Sequence, residues 1–132
     1  MQQGDKVIAI VDDMFFAAKI NGAANASGRQ IERVKSREQL EQVVAANLPP
    51  LVLVDLNSER LDPLGVIEFF KSRPELRQVP IVGFVSHVEA ELIRRAQDAG
   101  CDYVLPRSQF SQRLPEILAG DLAELRARLS KK

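Results

Sequence analysis

The chain has 132 residues, which is enough for one domain with a single sizeable core. Its 18 basic and 18 acidic residues give a formal net charge of zero, so no overall charge draws it to nucleic acid or to an acidic membrane. The single cysteine, Cys101, excludes an intrachain disulfide and is expected to be a small buried packing residue. Because no long apolar segment follows the N-terminus, we expect no signal peptide, no membrane span and a cytoplasmic location.

Short apolar runs alternate along the chain with segments of helical period, which is typical of βα units and a parallel sheet. The pattern predicts a single (βα)5 domain of the α/β class, with residues 6–129 as its core and 130–132 as a frayed tail. The predicted strands are 6–11, 30–35, 51–56, 81–86 and 102–106.

The predicted helices are bounded by capping residues and by residues that stop helices. The first helix spans residues 14–27, with Phe16, Ile20 and Ala24 on its inner face. The predicted boundaries are Gly28 and Gly100 as stops, Asp62 with Pro63 as a start, and Ser36 with Gln39 and Ser86 with Glu89 as capping boxes.

The last helix is predicted to continue almost to the end of the chain, with Pro115 near its beginning. Leucines recur on one side of this helix at a spacing that would keep them in register. Such a stripe would offer a surface for a homodimer or a partner helix. Its members are Leu114, Leu118, Leu122, Leu125 and Leu129.

Polar side chains stand where four of the predicted strands end. Asp12 and Asp13 follow the first strand, Asp55 ends the third, Ser86 ends the fourth and Arg107 follows the fifth. In an open parallel sheet, ligands bind in the crevice at the carboxyl ends of the strands. Three carboxylates, a hydroxyl and a cation at that edge would form a site for a divalent metal and a phosphoryl group.

Four motifs carry a resemblance to a known family. They are VDD (11–13), LVDLN (53–57), FVS (84–86) and AGCDYVLPR (99–107), in the order and spacing of that family. With these motifs the chain resembles the receiver domain of two-component response regulators over residues 6–129. The resemblance implies a flavodoxin-like, doubly wound fold with strand order 2-1-3-4-5 and a single receiver domain over 1–132.

The resemblance also implies a magnesium site. Asp13, Asp55 and the backbone carbonyl of Asn57 would bind Mg²⁺ directly, and Asp12 would bind it through water. Mg²⁺ prefers oxygen ligands in octahedral geometry and keeps several of its waters, which suits such a set.

A phosphoryl-transfer role follows from the same resemblance. Asp55 would accept a phosphoryl group from a sensor histidine kinase or a phosphotransfer protein. Ser86 would then donate its hydroxyl to a phosphoryl oxygen as the switch event. Arg107 holds the place of the usual lysine, although its planar guanidinium need not take the same position as an ammonium group.

The chain departs from the family at six positions around the site. The absence of proline after Arg107 makes a cis peptide bond there much less expected. A branched aliphatic residue in place of the aromatic switch residue sweeps far less volume. The departures are Arg107 for lysine, Ser108 and Glu59 for proline, Pro63 for glycine, His87 for a small residue and Val104 for an aromatic residue.

We therefore expect a stand-alone receiver that is not an enzyme and signals through protein contacts, by the face of its fourth helix, fifth strand and fifth helix. One alternative is a degenerate receiver that acts as a binding or dimerisation module without phosphate. A second is a phosphohydrolase, which would need a DxD spacing after the first strand. The chain has adjacent Asp12 and Asp13 there instead, and it has no glycine-rich phosphate loop.

Overall fold

The computed structural model describes residues 6–86 and 89–119, and within them five parallel strands form one sheet. The strand order β2-β1-β3-β4-β5 confirms the predicted doubly wound arrangement. None of the helices in these residues is long and apolar enough to cross a membrane. In chain order the elements are β1 Lys6–Ile10, α1 Met14–Ala26, β2 Gln30–Arg33, α2 Arg37–Ala46, β3 Val52–Asp55, α3 Pro63–Lys71, β4 Ile81–Val85, α4 Ala90–Ala99, β5 Tyr103–Pro106, α5 Arg107–Gln112 and α6 Leu114–Leu118.

Two apolar layers cover the two faces of the sheet. Side chains alternate between the faces along each strand, so β1, β3 and β4 contribute to both layers. One layer joins the sheet to α2, α3 and α4, and the other joins it to α1, α5 and α6. The first contains Ile8, Val54, Leu40, Val66 and Ile67 among others, and the second contains Val7, Phe84, Phe16, Phe110 and Leu114 among others.

Several predicted helix boundaries are confirmed. The hydroxyl of Ser36 accepts a hydrogen bond from the backbone N–H of Gln39 at 3.0 Å and so caps α2. The Gln39 side chain reaches back to the N–H of Lys35 at 2.9 Å, one residue before the partner in a standard capping box. Gly100 ends α4 with a φ of 110°, a left-handed conformation that favours glycine.

The predicted capping box of Ser86 with Glu89 is wrong. Glu89 is itself the N-cap of α4 and makes no side-chain capping bond. The side chain of Asn57 lies across this loop instead. It accepts a hydrogen bond from the Ser86 N–H at 2.7 Å and donates one to Glu89 Oε1 at 3.2 Å. These two bonds occupy the Ser86 N–H and the Glu89 carboxylate, which a capping box would have joined to each other.

The prediction of one continuous last helix is also wrong for the described part of the chain. The helix ends at Gln112, and a second short helix begins at Leu114. Pro115 explains the break, because proline has no N–H to donate to Ser111 and its ring crowds that carbonyl group. Leu114 and Leu118 are buried in the core, so these two members of the predicted stripe are not available as a docking surface. The remaining residues of the predicted stripe, Leu122, Leu125 and Leu129, lie outside the described residues, as does His87.

Candidate functional site

The five polar residues singled out by the sequence lie at one edge of the sheet. Asp12 and Asp13 follow β1, and Asp55 is the last residue of β3, the central strand. Ser86 follows β4, and Arg107 is the first residue of α5, directly after β5. Because these strands are parallel neighbours, their carboxyl ends form a single crevice.

Asp55 is a buried carboxyl group, with 7% of the residue exposed. Its Oδ1 accepts a hydrogen bond from the backbone N–H of Asn57 at 2.9 Å. Burial raises the pKa of Asp55, and the charges of Asp12 and Asp13 add to the increase. The Asn57 bond and the Arg107 charge act in the opposite direction but do not cancel it.

Asp12 is bound by the loop that follows β3. Its Oδ2 accepts hydrogen bonds from Ser58 Oγ at 2.8 Å, from the Glu59 N–H at 3.1 Å and from the Arg60 N–H at 3.3 Å. Burial favours a higher pKa for Asp12, but these hydrogen bonds and the Arg60 charge outweigh burial and lower it. The Asp12 carboxylate therefore holds this loop against the end of β1.

Asp13 uses both carboxylate oxygens. Asp13 is the N-cap of α1, and its Oδ1 accepts hydrogen bonds from the backbone N–H groups of Phe15 at 2.9 Å and Phe16 at 3.2 Å. Its Oδ2 accepts from Arg107 Nη2 at 2.7 Å, a charge-assisted hydrogen bond. The Arg107 bond is the main cause that lowers the pKa of Asp13, followed by the Phe16 N–H.

The guanidinium of Arg107 is held from three sides. Its central carbon lies 4.1 Å from the centroid of the Phe16 ring, a cation–π contact. Phe16 is fixed in turn by Phe84 and Phe110, at centroid distances of 4.9 and 5.8 Å. Arg107 Nη1 lies 3.5 Å from Ser86 Oγ, at the limit of a hydrogen bond. The cation is thus placed beside both the acidic residues and the predicted switch hydroxyl.

Sequence reasoning missed two residues that support the site. Arg33, on the edge strand β2, donates from Nε to the Val11 carbonyl at 2.9 Å and from Nη2 to the Asp12 carbonyl at 3.0 Å. It therefore ties the loop that carries the acidic pair to the neighbouring strand. Ser58 supports Asp12 in the same way from the other side. Both are ordinary polar residues in sequence, and only the path of the loops brings them to the site.

The donor chemistry of the site fits a hard divalent cation, because its side chains offer carboxylate and amide oxygens. Within the described residues, however, no three His, Cys, Asp or Glu side chains are grouped closely enough to hold a metal ion. The reason lies in the contacts above, since Arg107 holds Asp13 and the Ser58 loop holds Asp12. The residues fit Mg²⁺ on condition that Asp13 exchanges its bond to Arg107 for the metal.

Other predicted positions surround this centre. Glu59 and Ser108 are exposed, and Pro63 is the first residue of α3. Val104 is partly buried and packs in the layer of α2, α3 and α4. The described part of the chain contains no cis peptide bond, including the one before Ser108.

Cys101 is buried, as expected for a packing residue. Burial raises the pKa of its thiol to about 12. Its Sγ lies 3.2 Å from the Tyr103 carbonyl oxygen and 3.6 Å from that of Ile81. The thiol is therefore protonated at neutral pH and takes no part in the candidate site.

Solved structures of response regulators share this fold. The phosphorylated cyanobacterial phytochrome response regulator RcpA is 21% identical, with a TM-score of 0.72 over 88% of this chain and 89% of that chain. The Mn²⁺-bound form of response regulator Rcp1 is 15% identical, with a TM-score of 0.70 over 89% and 91%. A receiver domain from Rhodospirillum rubrum is 19% identical, with a TM-score of 0.68 over 86% and 91%. The chain therefore has the flavodoxin-like fold of response-regulator receiver domains.

A relative among curated proteins is also connected with regulation. A gliding motility regulatory protein from Myxococcus xanthus is 29% identical over 113 residues. The match covers 85% of this chain but only 14% of that protein, so the chain corresponds to a small part of its length. No protein-family profile matches the chain.

Proposed function

We propose that this protein is a cytoplasmic receiver domain that accepts a phosphoryl group on Asp55 from a sensor histidine kinase or a phosphotransfer protein. The observation that carries the proposal is the position of Asp55, a buried carboxyl group at the end of the central strand. The Asp12 and Asp13 carboxylates are close enough to raise its pKa, and the Arg107 charge is close enough to oppose them. Such a group, beside a cation and the Ser86 hydroxyl, is suited to nucleophilic attack on phosphorus.

The chemistry assigned to each residue follows from its contacts. Asp55 Oδ1 is occupied by the Asn57 N–H, so Oδ2 is the attacking oxygen. It forms a bond to phosphorus as the bond from phosphorus to the donor's imidazole nitrogen breaks, and the electron pair leaves with the imidazole. Arg107 and Ser86 would bind the transferred phosphoryl oxygens.

A divalent cation, proposed to be Mg²⁺, would be held by Asp13, Asp55 and the Asn57 carbonyl, with Asp12 acting through water. It would supply positive charge opposite the transferring phosphoryl oxygens. The all-oxygen donor set supports this proposal, as does the Mn²⁺-bound form of a structural neighbour.

The output would be a protein contact. We propose a downstream protein or a second copy of the chain as the partner, docked on the face formed by α4, β5 and α5. Ser86 and Arg107 lie at the ends of β4 and β5, so a phosphoryl group bound between them would act on the neighbouring elements of this face first.

Intact-mass spectrometry after incubation with acetyl phosphate and Mg²⁺ tests the proposal. We expect one added phosphoryl group on the wild type and none on Asp55→Asn. Asp62→Asn is a matched control, because Asp62 is an exposed carboxylate at the start of α3 whose side chain makes no capping bond. A wild type that stays unmodified with acetyl phosphate and with a phosphorylated histidine donor would overturn the proposal.

A second candidate function is a binding module that works without phosphate. The specific observation in its favour is that protein donors already satisfy both oxygens of Asp13, Oδ2 of Asp12 and Oδ1 of Asp55. In such a site Arg107 supplies positive charge beside Asp13 without a metal ion. This candidate predicts a folded wild type that takes no phosphoryl group and binds its partner equally well as Asp55→Asn.

A further inference from the structure

We propose that Arg107 competes with the divalent cation for Asp13, so that the Arg107–Asp13 ion pair sets the affinity of the site for metal. The inference rests on the proposed function in taking Asp13 as a metal ligand. It goes further in naming the group that must leave before the metal enters.

The competition is for one atom. Asp13 Oδ1 is committed to α1, whose first N–H groups at Phe15 and Phe16 have no other partner in the helix. Asp13 Oδ2 is bound by Arg107 alone among the described residues, at 2.7 Å. A metal that binds Asp13 without uncapping α1 must therefore take Oδ2, the oxygen that Arg107 occupies.

Arg107 is placed for this role by its surroundings. The Phe16 ring, at 4.1 Å, supports the face of the guanidinium and limits the directions in which it can move. When Asp13 is taken by a metal, Ser86 Oγ, 3.5 Å from Nη1, is a polar group already within reach of the released guanidinium. The exchange would thus move the Arg107 guanidinium away from Asp13 and toward the Ser86 hydroxyl, which is proposed to bind the phosphoryl group.

Charge reinforces the competition. The guanidinium is positively charged, so it repels a divalent cation at Asp13 even when the two do not share an oxygen. The side chains of Arg107 and Asp13 are 31% and 39% exposed, so solvent screens the ion pair and its effect is moderate. We expect loss of the Arg107 charge to lower the Mg²⁺ Kd by about three- to fivefold.

Mg²⁺ titrations followed by amide chemical shifts test the proposal on the wild type, Arg107→Ala, Arg107→Gln and Arg107→Lys. The two neutral variants should both bind Mg²⁺ more tightly than the wild type, and Arg107→Lys, which keeps the charge, should stay closer to it. Lys6→Ala is the control, because Lys6 is an exposed cation at the first residue of β1, at the opposite end of that strand from Asp13. It should leave the Kd unchanged. If Arg107→Ala and Arg107→Gln lower the Kd by similar factors, the effect comes from the lost charge and not from altered packing in one variant.

Thermal unfolding gives a second readout that does not depend on phosphorylation. Millimolar Mg²⁺ should raise the Tm of Arg107→Ala more than that of the wild type, because a ligand that binds only the folded state stabilises it more as the Kd falls below the ligand concentration. Equal Kd values and equal Tm increases in the wild type and the neutral variants would overturn the competition, as would a failure of all variants to bind Mg²⁺. The two proposals can fail separately. If the neutral variants bind Mg²⁺ more tightly but the wild type takes no phosphoryl group, the competition is supported and the proposed function is overturned.

Discussion

Asp12, Asp13 and Asp55 lie at the same edge of the sheet, yet their surroundings move their pKa values in opposite directions. Hydrogen bonds lower the pKa of Asp12 and Asp13, whereas burial raises that of Asp55. Groups of one type whose pKa values are separated in this way commonly have different roles. This difference agrees with the proposed roles, in which the half-buried pair Asp12 and Asp13 holds a cation and the buried Asp55 accepts a phosphoryl group.

Replacing Asp55 with Asn should stabilise the fold at neutral pH. An acid whose pKa is raised on folding destabilises the folded state when ionised, and this cost disappears below the pKa of the unfolded state. Asp55→Asn removes the charge but keeps an oxygen for the Asn57 N–H. Its free energy of unfolding should therefore exceed that of the wild type at about pH 7, and the difference should shrink toward about pH 4. Urea unfolding at both pH values measures it, and a gain independent of pH would refute the argument.

Ser58→Ala should destabilise the protein through Asp12. The change removes the 2.8 Å hydrogen bond from a buried hydroxyl, at a cost of about 1 kcal/mol. The pKa of Asp12 should rise, because one of the bonds that lower it is lost. A lowered pKa stabilises the fold above the unfolded pKa, so the cost should be largest at neutral pH and fade in acid. Carboxyl NMR titration and urea unfolding check both effects. Ser108→Ala, at an exposed serine, should change neither.

The sequence was enough to predict which residues lie at the candidate site, but not which of them contact one another. Asp55 and Ser86 follow runs of apolar residues, and strand periodicity is enough to place them at the ends of strands. The bond between Arg107 and Asp13 joins residues 94 positions apart and depends on how the guanidinium packs against Phe16. No local pattern contains that information.

At the scale of elements, the sequence predicted the strands and the inner helix faces because buried positions repeat with fixed periods. Phe16, Ile20 and Ala24 of α1 are all buried, as predicted. The errors concern places where two rules conflict. Around Pro115 the leucine spacing favours a continuous helix, but the missing N–H of proline breaks it after Gln112.

Gly28 and Gly100, the two glycines with positive φ among the described residues, provide a matched pair for a test at this scale. Gly28 has a φ of 72°, and a Cβ added there would meet no atom within 4 Å, so Gly28→Ala should cost only backbone strain, about 1 kcal/mol. A Cβ at Gly100 would lie 2.7 Å from Lys71 Cγ. Lys71 cannot easily move, because its Nζ donates at 3.0 Å to the carbonyls of Arg77 and Val79 and to Asp102.

Gly100→Ala should therefore destabilise the protein by about 2 kcal/mol or more, clearly beyond Gly28→Ala. The free energy of unfolding in urea measures both variants. Equal losses would mean that the contact with Lys71 relaxes without cost and that only the backbone conformation matters. In the double variant Gly100→Ala with Lys71→Ala, the steric part of the loss should be absent.

At the scale of the whole molecule, the sheet separates two layers that a signal from the site would reach differently. Val104 packs in the layer of α2, α3 and α4, whereas Tyr103 packs in the layer of α1, α5 and α6. Because neighbouring residues of a strand face opposite sides, the Tyr103 ring lies on the other side of the sheet from position 104, where the resemblance to receiver domains implies an aromatic switch residue. In the layer that contains α4, β5 therefore presents the aliphatic side chain of Val104 at this position.

We expect this arrangement to damp the response of the α4, β5 and α5 face to phosphorylation. Adding the phosphate mimic beryllofluoride with Mg²⁺ should shift the amide signals of residues 55–59 and of Ser86 strongly, but those of α4 only weakly. Val104→Tyr should enlarge the shifts in α4, because a ring at this position has volume to move when the Ser86 hydroxyl turns inward. Val104→Ile is the control, since it adds bulk without an aromatic ring, and it should behave like the wild type. Shifts in wild-type α4 as large as those at residues 55–59 would show that Val104 transmits the signal in full.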